Sequence, residues 1–296
     1  MSVTLPEVRI AFDAGNHLGE TPIWSAPEQA LWWVNCEHPP QLHRWHPGSG
    51  EHRVWPMPRR IGGFVPKTSG GLLVVLSDGL YDFVPESGEL SLRVPSPFPA
   101  RVSLHECHCD RQGRFWVGGY DHDFPANRSA SGAAICRLDG DRLTPVIPGI
   151  AVANGMAFSP DGKTMYAANS PSRKVDAYDL DPESGELSNG RTFLALEDGE
   201  GFVDGATVDS EGGYWLANVA AGRLRRYLPD GTLDRIIDLP FSNPTKPAFG
   251  GPDLKTLYVT STQLAMQAFM EPDAPNGPVF ALEPGETGIA ETPFAG

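Results

Sequence analysis

The sequence predicts an all-β fold, a six-bladed β-propeller with a metal site in its central channel. A short polar turn followed by a hydrophobic strand recurs six times along the 296 residues. The interval is roughly 40 to 50 residues, which is typical of propeller blades built from four strands. No helical periodicity of useful length is present, and the 29 prolines and 33 glycines disfavour long helices.

Each repeat opens with a turn rich in Gly, Asp, Ser or Pro, the residues of tight hairpins. The strands that follow these turns lie at 31–34, 72–75, 114–117, 164–167, 214–217 and 256–259. A second turn lies within 178–187 in the fourth repeat and within 226–232 in the fifth. We expect this second turn to join the third strand of a blade to its outer strand, so each repeat is a four-stranded antiparallel sheet.

The two ends of the chain are predicted to close the ring. Residues 7–12 form a strand before the first complete repeat, and 278–282 form a strand in the last one. Pairing between these strands removes a free sheet edge and ties the ends together. We therefore expect residues 1–296 to form a single domain, although the length alone suggests about two.

The composition restricts the classes of partner. No apolar run is long enough to cross a bilayer and no signal-like segment follows Met1, so we expect a cytoplasmic protein without membrane association. The 23 Lys and Arg against 37 Asp and Glu give a net charge of −14, which argues against nucleic acid as a partner. The four cysteines are too few and too irregularly spaced for a disulfide framework. Nothing in the composition indicates an oligomeric state.

Three oxygen-bearing side chains stand at the start of hydrophobic strands in three different repeats. They are Glu20, Asn154 and Asp204, and the repeat predicts that they occupy equivalent places. Each alone is explained as well by turn chemistry, but three together favour convergence on one ion. Two carboxylates and an amide oxygen suit Ca²⁺, Mg²⁺ or Mn²⁺, with Zn²⁺ or Fe²⁺ also possible. Three protein ligands leave coordination positions open, which a catalytic metal requires.

Several motifs together resemble the SMP-30/gluconolactonase/regucalcin-like (LRE) family over nearly the full chain. These motifs are Glu20-Thr21-Pro22, 154–162, 204–209, 113–118 and 249–260. The resemblance implies a six-bladed propeller that binds one divalent metal in its channel and hydrolyses sugar lactones. It also implies that Glu20, Asn154 and Asp204 are the metal ligands and that Asp204 acts as a general base.

The third repeat departs from the family pattern, which usually has Arg-x-Asn-Asp before its central strand. Alignment on Cys109 and Asp110 places His105 at the Asn position, Glu106 at the Asp position and Ser103 at the Arg position. A two-residue bulge would instead keep Arg101 near the site. Both readings make His105, Glu106 and Arg101 candidates for substrate binding.

Two further expectations concern the surroundings of this strand. The loop 121–131, which begins with Asp121, lies where family members contact substrate, so we expect it to govern specificity. His105, Cys107 and Cys109 alternate along one strand and would share a face, which leaves open a soft-metal cluster as the less favoured alternative. His105, Arg101 and Lys246 are candidates for holding an anionic substituent of the substrate.

The resulting hypothesis is a metal-dependent lactonase acting on a five- or six-membered sugar lactone. The metal would polarise the carbonyl, and Asp204 would position or deprotonate the attacking water. The sequence lacks a Gly-x-Ser-x-Gly motif, which disfavours a covalent acyl-enzyme. Two alternatives remain: a phosphotriester or aryl-ester hydrolase on the same scaffold, and a non-catalytic propeller that binds calcium or a protein.

Overall fold

A computed structural model describes residues 6–123, 131–264 and 275–296. These residues form six four-stranded antiparallel sheets arranged as a six-bladed β-propeller. The one helical segment in these three ranges is a single 3₁₀ turn, Ser170–Ser172. Within the same ranges, no helix is long and apolar enough to cross a membrane.

The first three blades follow one another along the chain, each running from an inner strand to an outer one. Blade one contains β2 (Gly19–Ser25), β3 (Ala30–Asn35), β4 (Gln41–Trp45) and β5 (His52–Pro56). Blade two contains β6 (Ile61–Pro66), β7 (Leu72–Leu76), β8 (Gly79–Val84) and β9 (Glu89–Pro95). Blade three contains β10 (Val102–Cys109), β11 (Phe115–Asp121), β12 (Ala133–Asp139) and β13 (Arg142–Ile150).

The last three blades repeat this order, and the sixth takes its outer strand from the start of the chain. Blade four contains β14 (Ala153–Phe158), β15 (Thr164–Asn169), β16 (Lys174–Leu180) and β17 (Leu187–Ala195). Blade five contains β18 (Phe202–Val208), β19 (Tyr214–Val219), β20 (Arg223–Tyr227) and β21 (Leu233–Asp238). Blade six contains β22 (Pro244–Gly250), β23 (Thr256–Ser261), β24 (Val279–Leu282) and β1 (Arg9–Phe12).

The predicted closure of the ring is confirmed by the pairing of β1 with β24. Arg9 lies opposite Ala281 and Ile10 lies opposite Phe280 in an antiparallel register. The outer edge of blade six is therefore supplied by the other end of the chain, as the order of the repeats predicts.

Every inner strand carries an irregularity in its pairing with the second strand of its blade. In β2 the register shifts between Glu20 and Ile23, and equivalent shifts occur in β6, β10, β14, β18 and β22. Such β-bulges place an extra residue in one strand and redirect its side chain. In this propeller they lie near the beginning of each inner strand, at the same end of the channel.

The core lies between the blades and is built from the aromatic and aliphatic residues of the repeats. Trp33, Trp116 and Trp215 are fully buried. Trp116 Nε1 donates to Asp110 Oδ2 at 3.1 Å, and Trp215 Nε1 donates to Asp209 Oδ2 at 2.8 Å. Because a buried indole N–H needs a hydrogen-bond partner, these aspartates allow the large rings to be buried without leaving the N–H unsatisfied.

Candidate active site

A cavity of about 770 Å³ opens at the end of the channel where the inner strands begin. Its volume lies in the range typical of small-molecule sites. The lining includes Glu20 from β2, His105 from β10, Asn154 from β14 and Asp204 from β18. Three of the blades therefore bring the predicted metal-ligating residues to one cavity, and a fourth brings the histidine that departs from the family pattern.

The bulges determine which residue of each strand reaches the cavity. Glu20 and Asn154 are the last paired residues before the bulge, opposite Val34 and Ala168. In β18 that place is taken by Val203, and Asp204 is the first residue of the bulge itself. The repeat alone suggested that the three residues occupy equivalent places, but they are not strictly equivalent in register. Asp204 instead shares its register position with His105.

Glu20 and Asp204 bring two buried carboxyl groups to the same space, with 4% and 9% of their surface exposed. Burial raises the pKa of Glu20 to about 7, although the nearby Lys246 acts in the opposite direction. Burial and the neighbouring charges of Glu20 and Glu106 raise the pKa of Asp204 well above its usual range. Two carboxylates are costly here, and a bound cation would compensate their charge.

Asn154 presents a neutral oxygen to this pair. Its Nδ2 donates to Ser170 Oγ at 2.8 Å, which fixes the orientation of the amide. The amide Oδ1 is then the atom available to a ligand. Two carboxylates and one amide oxygen form an all-oxygen donor set, so Glu20, Asn154 and Asp204 are suited to hold a hard divalent cation.

A buried ion pair crosses the channel beneath these residues. Lys246 Nζ on β22 lies 2.8 Å from Glu106 Oε1 on β10, and both side chains are at least 95% buried. Glu106 Oε2 also accepts a hydrogen bond from the amide of Met156 on β14 at 2.9 Å. A Cβ added to Gly205 would lie 2.6 Å from Cβ of Lys246, so a glycine at this point lets the lysine pass.

A second, smaller cavity lies beside Lys246. The second cavity is lined by residues further along the inner strands, including Pro22, Cys107 and Lys246. The sequence made Glu106 a candidate for substrate binding and Lys246 a candidate for binding an anionic substituent. The structure instead engages their charges with each other, and neither residue is part of the main cavity lining.

His105 lines the main cavity and faces Arg60. The His105 Nδ1 lies 3.4 Å from Arg60 Nη2, and the two rings of His105 and Tyr120 are 5.7 Å apart. Burial and the positive charges of Arg60 and Lys246 lower the pKa of His105 well below its usual range. Arginine can only donate, so the neutral imidazole accepts at Nδ1 and carries its proton on Nε2.

The cysteines that share the third inner strand do not join His105. Cys107 and Cys109 lie in the hydrophobic core with Phe115 and Val117. Burial raises the pKa of the Cys107 thiol to about 12 and that of Cys109 well above its usual range. The bulge after Leu104 breaks the alternation that would have placed the three side chains on one face. The soft-metal cluster left open by the sequence is therefore not formed.

Arg101 and Asp121 form an ion pair beside the cavity, and neither residue is part of its lining. Arg101 Nε lies 3.3 Å from Asp121 Oδ1 and 3.3 Å from Asp123 Oδ2. Asp121 Oδ2 also accepts the amide of Gly132 at 2.7 Å, so the carboxylate links the two ends of the 121–131 loop. Most of that loop, residues 124–130, lies outside the described residues. The role of the loop in specificity therefore stays a prediction.

Sequence reasoning missed Arg60, which lines the cavity directly before β6. Its guanidinium lies over the ring of Tyr120, 5.6 Å from the centroid, and its Nε lies 3.4 Å from Glu37 Oε2. The sequence signal that could have identified Arg60 is its position directly before an inner strand, because residues at that position face the same end of the channel. Arg173 also lines the cavity at its mouth and pairs with the exposed Asp198.

A second group of potential ligands lies at the rim, among the described residues. His17, Glu37 and His38 have donor atoms within 4.8 Å of one another. His17 Nδ1 lies 4.0 Å from Glu37 Oε1 and has no hydrogen-bond partner in that part of the chain. Two imidazoles and one carboxylate suit a borderline metal such as Zn²⁺, in contrast to the all-oxygen set of the channel.

Comparison with known proteins places this geometry in a family. Residues 18–263 match the model of the SMP-30/Gluconolactonase/LRE-like region. A 6-deoxy-6-sulfogluconolactonase from Pseudomonas putida is 36% identical over 94% of this chain and 95% of its own length. An L-arabinolactonase from Azospirillum brasilense is 34% identical, with coverage of 96% and 94%. A calcium-binding protein, regucalcin, from Agrobacterium tumefaciens shares the fold, with a TM-score of 0.88, 24% identity, and coverage of 98% and 97%. The chain therefore belongs to the SMP-30/gluconolactonase/LRE-like family.

Proposed function

We propose that this protein is a metal-dependent lactonase that opens a sugar lactone to the free sugar acid. The observation that carries the proposal is the convergence of Glu20, Asn154 and Asp204 on one cavity of about 770 Å³. An all-oxygen donor set favours a hard cation, Ca²⁺, Mg²⁺ or Mn²⁺, over Zn²⁺ or Fe²⁺. The cavity is large enough for a sugar ring beside the ion.

A divalent cation held there would act as a Lewis acid toward the lactone carbonyl. In the proposed reaction, Asp204 accepts a proton from the attacking water, whose oxygen bonds to the carbonyl carbon. The ring C–O bond then breaks, and its electron pair remains on the ring oxygen, which takes the proton from Asp204 to become a hydroxyl group. The Nε2–H of neutral His105 is a donor available to a ring hydroxyl of the substrate.

The buried pair of Lys246 and Glu106 lies outside the lining of the cavity. Both groups are satisfied by each other and by the amide of Met156, so neither is free to take part in proton transfer.

The relatives support the substrate class. The relative from Pseudomonas putida is named for a sulfonated gluconolactone, and the relative from Azospirillum brasilense is named for an arabinolactone. A pentonolactonase from Haloferax volcanii is 33% identical over 84% of this chain. These substrates share an internal ester of a sugar acid and differ in ring and substituent. We therefore propose the sugar-lactone class and leave the ring substituents to be decided by the cavity itself.

An activity screen with several metals tests this proposal against the alternatives. Metal-free protein is supplied in turn with Ca²⁺, Mg²⁺, Mn²⁺ and Zn²⁺ and assayed with glucono-, arabino- and galactonolactones, a phosphotriester and an aryl ester. We expect metal-dependent hydrolysis of the lactones with kcat/KM far above that for the other two substrates. Faster turnover of the phosphotriester or aryl ester would favour the other hydrolase class, and metal binding without any turnover would favour a binding protein.

A further inference from the structure

We propose that the part of the cavity around Arg60 is a subsite for an oxyanion on the substrate, a carboxylate, phosphate or sulfonate group carried at the end of the sugar remote from the lactone carbonyl. The inference rests on the proposed lactonase function for the position of the carbonyl. The direct observation is that Arg60, His105 and Tyr120 line one side of the cavity that also contains Glu20 and Asp204.

The distribution of residues among the blades separates the two ends of a substrate. The proposed metal-ligating side chains come from β2, β14 and β18, in blades one, four and five. Blades two and three supply Arg60 and His105 instead. In this arrangement, a lactone whose carbonyl lies at the ligating residues brings the remote end of its chain near Arg60 when it extends toward blades two and three.

The hydrogen-bonding state of Arg60 supports a missing partner. Its side chain is 11% exposed, and Nε and Nη1 are buried without a hydrogen-bond partner in the described part of the chain. Nη2 has a single long contact, 3.4 Å from His105 Nδ1. A guanidinium has five N–H groups in a planar fork, and leaving them unpaired in a buried site costs free energy. An oxyanion with two or more oxygens matches this fork.

The other cationic side chains near the cavity are already neutralised at close range. Lys246 lies 2.8 Å from Glu106 Oε1, and Arg101 lies 3.3 Å from both Asp121 and Asp123. Arg173 pairs with Asp198 at the mouth, with its guanidinium 4.8 Å from the centroid of Phe202. Arg60 also lies at ion-pair distance from an acid, Glu37 at 3.4 Å, but it lines the cavity and its Nε and Nη1 have no hydrogen-bond partner among the described residues. Arg60 is therefore the cation best placed to receive an anion.

Tyr120 and His105 would hold the arginine in place for this purpose. The Tyr120 ring lies under the guanidinium at 5.6 Å, and the imidazole accepts from Nη2. Neutral His105 does not compete for the anion by charge but can add an N–H donor. The subsite is thus one fixed cation with a neutral donor beside it, which favours a charged substituent over a hydroxyl group.

Binding of two sugar acids that differ in one group tests the subsite without depending on turnover. Dissociation constants for gluconate and gluconate 6-phosphate, with glucarate as the carboxylate analogue, are measured by calorimetry for the wild type, Arg60→Gln and Arg60→Lys. The matched control is Arg59→Gln, which removes the same charge from the adjacent position. Arg59 is exposed and pairs with Asp78. Circular dichroism confirms that each variant is folded.

We expect the wild type and Arg59→Gln to bind at least one of the two acids with a second anionic group at least ~10-fold more tightly than gluconate, the scale of a charged hydrogen bond. Arg60→Gln should abolish this preference, and Arg60→Lys should retain part of it. Equal binding of all three acids by the wild type, or an unchanged preference in Arg60→Gln, would overturn the inference. Loss of the preference in Arg173→Gln but not in Arg60→Gln would place the anion at the mouth and also overturn it.

A kinetic arm separates this inference from the proposed function. If neither neutral nor phosphorylated lactones are hydrolysed, the lactonase proposal fails while the binding preference still tests Arg60. If lactones are hydrolysed, Arg60→Gln should raise KM for the anionic lactone at least ~10-fold and change kcat/KM for the neutral lactone less than ~3-fold. An equal loss on both lactones would assign Arg60 to general cavity structure and contradict the subsite.

Discussion

Two roles are proposed for Asp204, metal ligand and general base, and a single substitution separates them. Asp204→Asn keeps an oxygen ligand but removes the group that accepts the proton from water. We expect turnover to fall at least ~10²-fold while part of the metal affinity remains, because general-base loss usually costs this much. The check is kcat at saturating metal together with the metal dissociation constant. Asp238→Asn, on the surface and paired with Arg223, is the control, and near-normal turnover of Asp204→Asn would remove the residue from the chemistry.

His105 matches the asparagine of the family pattern when the third repeat is aligned on Cys109 and Asp110, and its side chain lines the cavity without belonging to the predicted ligand set. We expect His105→Asn to change the ranking among neutral and acidic lactones and to leave the metal dissociation constant nearly unchanged, because the shorter amide withdraws the acceptor from Arg60 and the donor from the substrate. A competition assay with a lactone panel measures the ranking. Collapse of metal binding with an unchanged ranking would make His105 a ligand instead.

Individual site residues were predictable from sequence to different degrees. Glu20, Asn154 and Asp204 stand next to recognisable strand starts, so their common cavity could be predicted. Arg101 could not be assigned, because its contact with Asp121 depends on how β10 pairs with β11. Arg60 belongs to no motif, and its proposed role follows only from a cavity that residues of at least five blades line.

Sequence patterns predict the side-chain directions of the inner strands least well. The alternation of hydrophobic residues predicts where a strand lies, but a bulge moves each later side chain to the opposite face. Glu106, which the family pattern places at the substrate, lies within the bulge of β10 and forms a buried ion pair with Lys246. The same effect places Asp204 one residue beyond the register of Glu20 and Asn154.

The ion pair and the hydrogen bond from Met156 join three inner strands, so removal of the pair should lower the stability of the fold. We expect Lys246→Met to lower the free energy of unfolding by about 3 to 5 kcal/mol, because it leaves the Glu106 carboxylate buried without its partner. The double variant Lys246→Met/Glu106→Gln should recover most of this loss, since the amide oxygen of Gln can still accept from Met156. Urea unfolding in the presence of a chelator measures both. A single variant as stable as the wild type would show that the pair is not buried in solution.

On the scale of the whole molecule, the six-bladed ring follows from local features that sequence reasoning handles well. Turn residues separate short strands at a regular interval, and the extra strand at the start of the chain finds its partner at the end. The closed ring leads us to propose that the chain unfolds as one domain, with a single transition in urea.

That transition should depend on pH through buried histidines. Burial and the neighbouring His52 on β5 lower the pKa of His43 to about 3, and the ring stacks on Trp33 of β3. The unfolded chain binds a proton below pH ~6.5 while the folded chain does not, so stability falls as the pH falls from 6.5 toward 3, by about 1.4 kcal/mol per unit for one full proton. Urea midpoints at pH 7.5 and 5.0 should therefore differ less in His43→Gln than in the wild type, and an equal difference would contradict this assignment.

The position of the cation is the most direct test of the proposed site. A crystal of the protein soaked with Mn²⁺, with the ion located by anomalous diffraction, shows which side chains ligate it. We expect one ion in the channel with oxygens of Glu20, Asn154 and Asp204 about 2.0 to 2.6 Å away. An ion bound only at His17, Glu37 and His38 would contradict the proposed site. So would three predicted side chains lying more than a few ångströms from a common centre.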